Sequence, residues 1–598
     1  MSDSCWLPWR SVRLPQVLTA FALLIGLPLF LRSPPWCDIT LYQLAARNLL
    51  HGGVHYRDLF DTNLPGFVWI MTAISAAFGP SVFALRAVDL GIAAGVVLLL
   101  DRLVKGSGAP PAARWWMFAG AAVFYPFTNE SAHAQRDLWM ALPGFAAVVV
   151  RLRRGTEHAA RASILEGMLW GCGVWLKPHI VPMAAGVWLL TAWRLASGQP
   201  RPWRAVRQDL LGNILGGLIV AAPGVAWLYF SGAWASFLDV FQNWNPQYMQ
   251  LAESEFDDRL KEELHWFPPW SLGLIPTVPL ALLSILDMAP WRSASRAPDS
   301  GWVGRWLPPW MWDARATADQ RFVRGVIAGL YLIWAVQSFF VQRAFLYVHV
   351  PETLLMMGLW AAHRWALTPL VLLWLLLSTI LGAVASEQLQ LIDTKTRDRY
   401  LPVHPIAHLQ RLRQWPACWR TNLRETERYE LYDRLRLMPP HEAAIGWGEL
   451  AEVAAWLHEE GVGDGEVLAW NNSPHAVYLL LDREPGFRFM HVYTASSINF
   501  DHDPNTGGPQ VMKELRAAKR ARFVVSDLQW VATVLTTDPA EQAVLMGPPH
   551  DPPRDLLPTT MPMVDDFPFN QPTVFRSRNG AGRYVVHRIV TREDTPRR

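Results

Sequence analysis

About eleven apolar runs, each near the ~20 residues that a bilayer demands, occupy the chain up to residue 386 and leave few folds open to it. They are Leu14–Leu31, Ser81–Val104, Trp115–Phe127, Asp137–Leu152, Ala162–Leu176, His179–Leu195, Leu210–Phe230, Trp270–Met288, Phe322–Val341, Phe345–Ala362 and Leu367–Val384. The first lacks a small-residue cleavage site and further spans follow, so it reads as a helix, not a signal peptide. The 32 tryptophans agree, because indole rings favour the membrane–water interface. The expected architecture is a polytopic α-helical membrane protein.

Charge sets the expected orientation. With Arg10 and Arg13 in the cytoplasm, alternate loops collect about twenty lysines and arginines on that side against about eight opposite, as the positive-inside rule requires. The loop after the first run, residues 32–80, then lies outside, as does the acidic loop Gly232–Pro269. An odd number of spans puts the tail, residues 387–598, outside too.

That tail has ordinary soluble patterning. Leu409–Leu437, His441–Glu460 and Met512–Arg520 read as helices, and Glu466–Asn471, Arg522–Val525 and Arg583–Val590 as strands. Ser473-Pro474 starts a further helix, and Asp503–Pro509 and Gly547–Pro572 read as loops. Strand–helix–strand order predicts a small α/β domain. The chain thus divides into a membrane part, 1–386, and an extracytoplasmic or periplasmic part, 387–598.

Several classes are set aside. A net charge of +3 offers no electrostatic support for nucleic acid. The four cysteines, Cys5, Cys37, Cys172 and Cys418, show no CxxC pairing. The phosphate-cradling GxxxxGK[ST], the dinucleotide GxGxxG and the hydrolase motifs HExxH and GxSxG are absent.

Ionisable groups at the membrane rim are functional candidates because burial there is costly. Asp38 and Tyr42 stand four residues apart on a short helix, Ile39–Leu50, which places a carboxylate and a phenol on one face. Asp38 suits a general base and equally a helix N-cap. Asp58, Asp61 and Asn63 precede Pro65-Gly66, where turn residues are common, and a second interfacial helix runs from Pro65 to Phe78. NESAHAQRD, Asn129–Asp137, concentrates Glu130, His133, Arg136 and Asp137 in one short loop. In QRAFLYVHVPE the cation Arg343, the phenol Tyr347 and the imidazole His349 would suit a phosphate, or would simply anchor the interface. Lys177 is a further outside cation, and Arg86 and Asp89 read as a mutual ion pair inside a span.

In their order these segments resemble the GT-C superfamily of polytopic glycosyltransferases. The similarity is to the branch of protein O-mannosyltransferases, aminoarabinose–lipid A transferases and related dolichyl- or undecaprenyl-phosphate sugar transferases. It is carried by Asp38 with Tyr42, NLLHGGVHYRDLFDTNLPGFVWI, FGPSVFALRAVDL, Asp137 in QRDLWM, Lys177-Pro178 and YVHVP, and covers roughly residues 10–390. The resemblance implies a polyprenyl-phosphate-sugar-dependent hexosyl- or pentosyltransferase of the cell envelope, integral to the plasma (inner) membrane. It implies catalytic roles for Asp38 and Asp137, and carrier contacts from Tyr42, Tyr347, His349 and Arg343, with Arg259 as another. Ile39 replaces the second acid of many relatives, and Asn63-Leu64-Pro65 replaces a Lys-Pro pair, so no metal requirement is carried over. A divalent ion, if one is used, falls to Asp38 and Asp137.

The expected partners are a polyprenyl-phosphate-linked sugar, membrane lipids and a glycan, lipid or protein acceptor. Two other readings stay open at this point: a flippase of lipid-linked sugars, and a membrane scaffold with a binding tail.

Overall fold

The structure is a computed structural model. It describes residues 12–153, 159–196, 202–250, 267, 270–288, 316–342, 345–364, 368–373, 376, 409–438, 444–492, 495, 508–529, 567–578 and 582–590. Each expected apolar run from Leu14–Leu31 to Phe345–Ala362 coincides with helix. Most of the last, Leu367–Val384, lies outside the described residues. The helices that position the site are α1 (Arg13–Leu31), α2 (Cys37–Leu50), α3 (Gly66–Phe78), α4 (Val82–Gly106), α5 (Pro111–Phe124), α6 (Arg136–Arg153), α7 (Ala159–Leu176), α8 (Val181–Ala196) and α9 (Pro202–Phe230).

Five helical segments among the described residues are long and apolar enough to cross a membrane unaided: α1, α4, α9, Trp270–Met288 and Ala318–Val341. The 14 residues of α5 rise only about 21 Å, so the expected span is completed by the 3-10 turn Tyr125–Phe127. On α9 an outward row including Leu211, Leu215, Leu218 and Tyr229 is exposed, which is the face a lipid-bathed helix presents. The protein is an integral membrane protein.

Local sequence explains where several helices begin. Ser81 caps α4 by accepting from Ala84 N at 3.2 Å. Thr317 and Gln320 form a reciprocal capping box at the start of Ala318–Val336. Asp38 does not cap α2. The N-cap is Trp36, and Asp38 sits inside the first turn, where the helix dipole favours a negative charge.

Helices α7 and α9 pack through glycines. A Cβ built on Gly216 would overlap the Ile164 carbonyl oxygen and meet Met168 N at 2.7 Å, and one on Gly167 would overlap the Asn213 carbonyl. At Gly217 the nearest atom is 3.9 Å away. Gly216→Ala is therefore expected to destabilise the detergent-solubilised protein by about 1–3 kcal/mol, the usual cost of overpacking. Gly217→Ala should leave the unfolding midpoint unchanged, and equal midpoints for both variants would contradict this packing.

Buried polar groups join the helices elsewhere. Arg151 donates to Glu166 (2.6 Å), Asp209 (3.1 Å) and Thr191 (2.8 Å). Arg86 and Asp89 do not close on each other as expected. Arg86 donates to the carbonyls of Ser33 (3.3 Å) and Pro34. Asp89 accepts from Tyr125 (2.7 Å), Ala134 N (2.8 Å) and Trp139 (2.8 Å). The two side chains thereby fasten the segments that lead into Asp38 and Asp137.

The C-terminal part carries a four-stranded sheet: β1 (Val467–Ala469), β2 (Phe523–Asp527), β3 (Thr573–Arg576) and β4 (Tyr584–Arg588), in the order β1-β2-β4-β3. Strands β1 and β2 are parallel, with Leu468 opposite Val524, and β4 runs antiparallel to β2 and β3. Helix Trp447–Glu459 covers the sheet, its Trp456 ring stacked on Phe575 at 5.3 Å. The expected helix Leu409–Leu437 is broken into Leu409–Arg413, Trp415–Cys418 and Glu425–Leu435, because Pro416 can only start a helix. Gly508 and Pro509, expected in a loop, begin the helix Gly508–Arg516. The rest of Asp503–Pro509 and the loop up to residue 566 lie outside the described residues. Strand β3 has no counterpart in the sequence reading, its inward residues being only partly buried.

His587 on β4 is buried, and burial pushes its pKa down to about 4. The folded value lies below the ~6.5 of an unfolded histidine, so the unfolded chain binds the extra proton. Its contribution is complete above pH ~6.5 and is lost as pH falls toward 4, up to about 3 kcal/mol. His587→Gln should remove that part of the acid sensitivity, read as the difference in unfolding midpoint between variant and wild type at pH 7 and pH 4.5. Parallel midpoints at both pH values would contradict the assignment.

Candidate active site

The first turn of α2 opens onto a cavity of about 540 Å³. Asp38 and Tyr42 both line it, one helical turn apart as their spacing requires. The Tyr42 ring packs edge-on against Phe67 at 4.8 Å, which joins α2 to α3. Asp61 Oδ1 accepts from Asn63 N (3.0 Å) and Asn63 Nδ2 (2.7 Å), a local turn that aims the amide at the Tyr42 hydroxyl, 3.1 Å away. Asn245 Nδ2 donates to Thr62 O at 3.0 Å and holds the same turn from the opposite wall.

Of the residues expected at the site, Asp38, Tyr42, Asp61, Asn63, Lys177 and Tyr347 line this one cavity. Asp137 lies behind the wall, with both carboxylate oxygens 2.8 Å from Lys177 Nζ. Lys177 also donates to Gln342, so its charge is answered within the protein. Asp58 stands apart from the lining: it binds Arg57 and Val54 N, and the Arg57 hydrogen bond holds its carboxyl below the usual range. His349 also stays off the wall, its Nδ1 3.0 Å from Glu352. Arg259 and Arg343, together with the carboxylates of the loop 251–266, lie outside the described residues.

Other lining residues carry signals that sequence reasoning did not follow. Arg136 was visible within NESAHAQRD only as a neighbour of Asp137. It lines the cavity, is 6% exposed, and its Nε and Nη1 have no hydrogen-bond partner. Its guanidinium carbon lies 5.4 Å from the centre of the Tyr42 ring. Asn472, Phe489 and His491 arrive from the C-terminal part. Phe60 N donates to Arg488 O at 2.9 Å, and the Phe60 ring packs against Phe489 at 4.8 Å and Trp244 at 4.9 Å. That cluster delivers His491 to Asp38, Nε2 to Oδ1 at 3.8 Å. His475 reaches the same turn of α2, 2.7 Å from Thr40 Oγ1 and 3.0 Å from Cys37 O. No local periodicity in the sequence announces these contacts.

The electrostatics follow from burial. Loss of solvent pushes the Asp38 carboxyl up, while His491 and then Arg136 draw it down. Burial likewise holds the Tyr42 hydroxyl well above its ordinary value, so it acts as a neutral hydrogen-bonding group. The cavity therefore offers a half-buried carboxylate, a neutral phenol and a guanidinium with two nitrogens free of hydrogen bonds, within aromatic walls.

The helix succession, the cavity after the first span and the appended sheet define a GT-C-like fold. Among solved structures the chain is similar to ArnT from Cupriavidus metallidurans bound to undecaprenyl phosphate, with TM-score 0.50, 14% identity, and 97% of this chain and 99% of that one covered. The apo form of the same protein gives TM-score 0.49 at 13% identity, covering 96% and 97%. The oligosaccharyltransferase AglB from Archaeoglobus fulgidus, in complex with an inhibitory peptide and a dolichol-phosphate, gives 0.42 at 11% identity, covering 89% and 71%. No family model and no curated protein matches the chain.

Proposed function

We propose that the protein transfers a sugar from a polyprenyl-phosphate carrier to a glycan, lipid or protein acceptor at the outer face of the membrane. One observation carries the reading: Arg136 lines the Asp38 cavity, and two of its buried guanidinium nitrogens make no hydrogen bond. Buried donor nitrogens without a hydrogen bond are costly, and a guanidinium matches a phosphate best because its fork can bind two oxygens at once. Lys177 cannot take that part while Asp137 and Gln342 hold it.

Asp38 is then the base. The acceptor hydroxyl gives its proton to the Asp38 carboxylate as its oxygen attacks the anomeric carbon. The bond from that carbon to the phosphate oxygen breaks, and the electron pair leaves with the polyprenyl phosphate against Arg136. Phosphate is already a good leaving group, so one carboxylate serves where glycoside hydrolysis needs two. Tyr42 and Asn63 orient the sugar or phosphate by hydrogen bonds, and the aromatic wall excludes water. The outward placement agrees with the positive-inside count and with a site that takes activated sugar from the membrane.

Purified protein supplied with a radiolabelled polyprenyl-phosphate sugar and candidate acceptors tests the reading. Transfer of label is the expected result. Movement of the lipid-linked sugar across liposomes without transfer would replace it with a flippase.

A further inference from the structure

We infer that the segment Leu409–Arg424 is a membrane-interface anchor that binds anionic phospholipid headgroups, on the face of the bilayer where α1 ends. Pro28 lies inside α1 and has no N–H to give to the Leu24 carbonyl four residues earlier. The indole of Trp415 supplies the missing donor, Nε1 to Leu24 O at 3.2 Å. Leu24 stands about 10 Å along the axis from the end of α1 at Leu31. With Val17 and Phe21 it is exposed, on the flank that lipid covers. The indole is therefore seated within the height of the span. Two further contacts pin the segment. Arg32 donates to Cys418 O (3.3 Å) and Arg420 O (2.9 Å), and the buried Arg411 donates to Phe127 O (3.2 Å).

What the segment presents outward is basic and aromatic. From Leu409 to Arg424 the sequence holds four arginines and no carboxylate. Arg411 is spent on the Phe127 carbonyl, whereas Arg413, Arg420 and Arg424 are exposed and form no ion pair among the described residues. The next acids along the chain are engaged elsewhere: Glu425 pairs with Arg428 at 3.1 Å, and Glu427 accepts from Arg424 N at 2.9 Å. Trp419 is 55% exposed, its ring 5.5 Å from that of Trp415. An indole so placed is favoured at the headgroup level, where its apolar body and polar edge are both served. Guanidinium groups beside it match a phosphodiester, whose two oxygens the planar fork can bind together. A basic stretch next to a span gains from an anionic leaflet and little from a zwitterionic one. The occupant is lipid and not a protein because the segment sits against the lipid-facing flank of α1. The anchor also fixes the height of the C-terminal part. Helix Glu425–Leu435 follows directly, and beyond it Leu437 N and Met438 N donate to Glu130 at 2.9 Å.

Full-length protein in bilayers containing equal amounts of phosphatidylglycerol and phosphatidylcholine tests the anchor. One lipid at a time carries a photoactivatable headgroup, and crosslinks are mapped by peptide mass spectrometry. Labelling of Leu409–Arg424 is expected to favour phosphatidylglycerol by at least about fivefold, which is what one arginine near an anionic surface supplies. High salt should shrink the preference, since exposed charges are screened. The combined variant Arg413→Gln, Arg420→Gln and Arg424→Gln should bring the ratio close to one. Labelling of the lipid-facing row of α9 serves as the internal control and should not change. The wild-type comparison of the two lipids needs no variant to fold. Equal labelling by both lipids, a preference that the combined variant keeps, or no labelling of the segment by either lipid overturns the anchor. The readout is independent of sugar transfer, so a protein that transfers nothing can still show the preference.

Discussion

Asp38→Asn is expected to lower the rate constant for sugar transfer by about 10²–10⁴-fold, the usual contribution of a positioned general base. The amide keeps the size of the carboxylate, so donor affinity should change far less than turnover. Removing a half-buried charge should also leave the unfolding midpoint intact, which separates loss of chemistry from loss of fold. A wild-type pH profile adds a signed check. The base works only when ionised, so activity falls on the acid side, and burial moves that limb above the pH of an exposed aspartate. Undiminished turnover by Asp38→Asn would sink the mechanism.

Arg136→Ala is expected to weaken donor binding by about 30–150-fold, corresponding to the ~2–3 kcal/mol of a charge-assisted bidentate contact. The effect should fall on KM for the carrier and on affinity for the bare polyprenyl phosphate, with smaller change in acceptor affinity. Arg136→Lys should recover only part, because an ammonium keeps the charge and loses the fork. Arg136 also draws the Asp38 carboxyl downward, so its removal should shift the acid limb to higher pH. Equal carrier affinity in Arg136→Ala and wild type would remove the phosphate assignment. Lys177→Ala offers a contrast: it strands the Asp137 carboxylate and should act first on stability, since breaking a buried pair costs about 3–5 kcal/mol.

The apolar runs determined the helical body by themselves, because the cost of an unpaired peptide group in lipid makes hydropathy a direct reading of structure. The i,i+4 spacing of Asp38 and Tyr42 likewise placed both on one face of α2, and helix geometry alone suffices for that. Which cation meets the ligand was another matter. Lys177 and Arg136 look alike along the chain and both line the cavity, and only packing pairs Lys177 with Asp137 and leaves two Arg136 nitrogens without a hydrogen bond. His491 is the extreme case, arriving beside Asp38 through contacts such as Phe60 with Arg488 and Thr40 with His475 that join distant parts of the chain. Periodicity records which face of an element is buried. The partner across that face is chosen by tertiary packing, and with it the charge balance around Asp38 and Arg136.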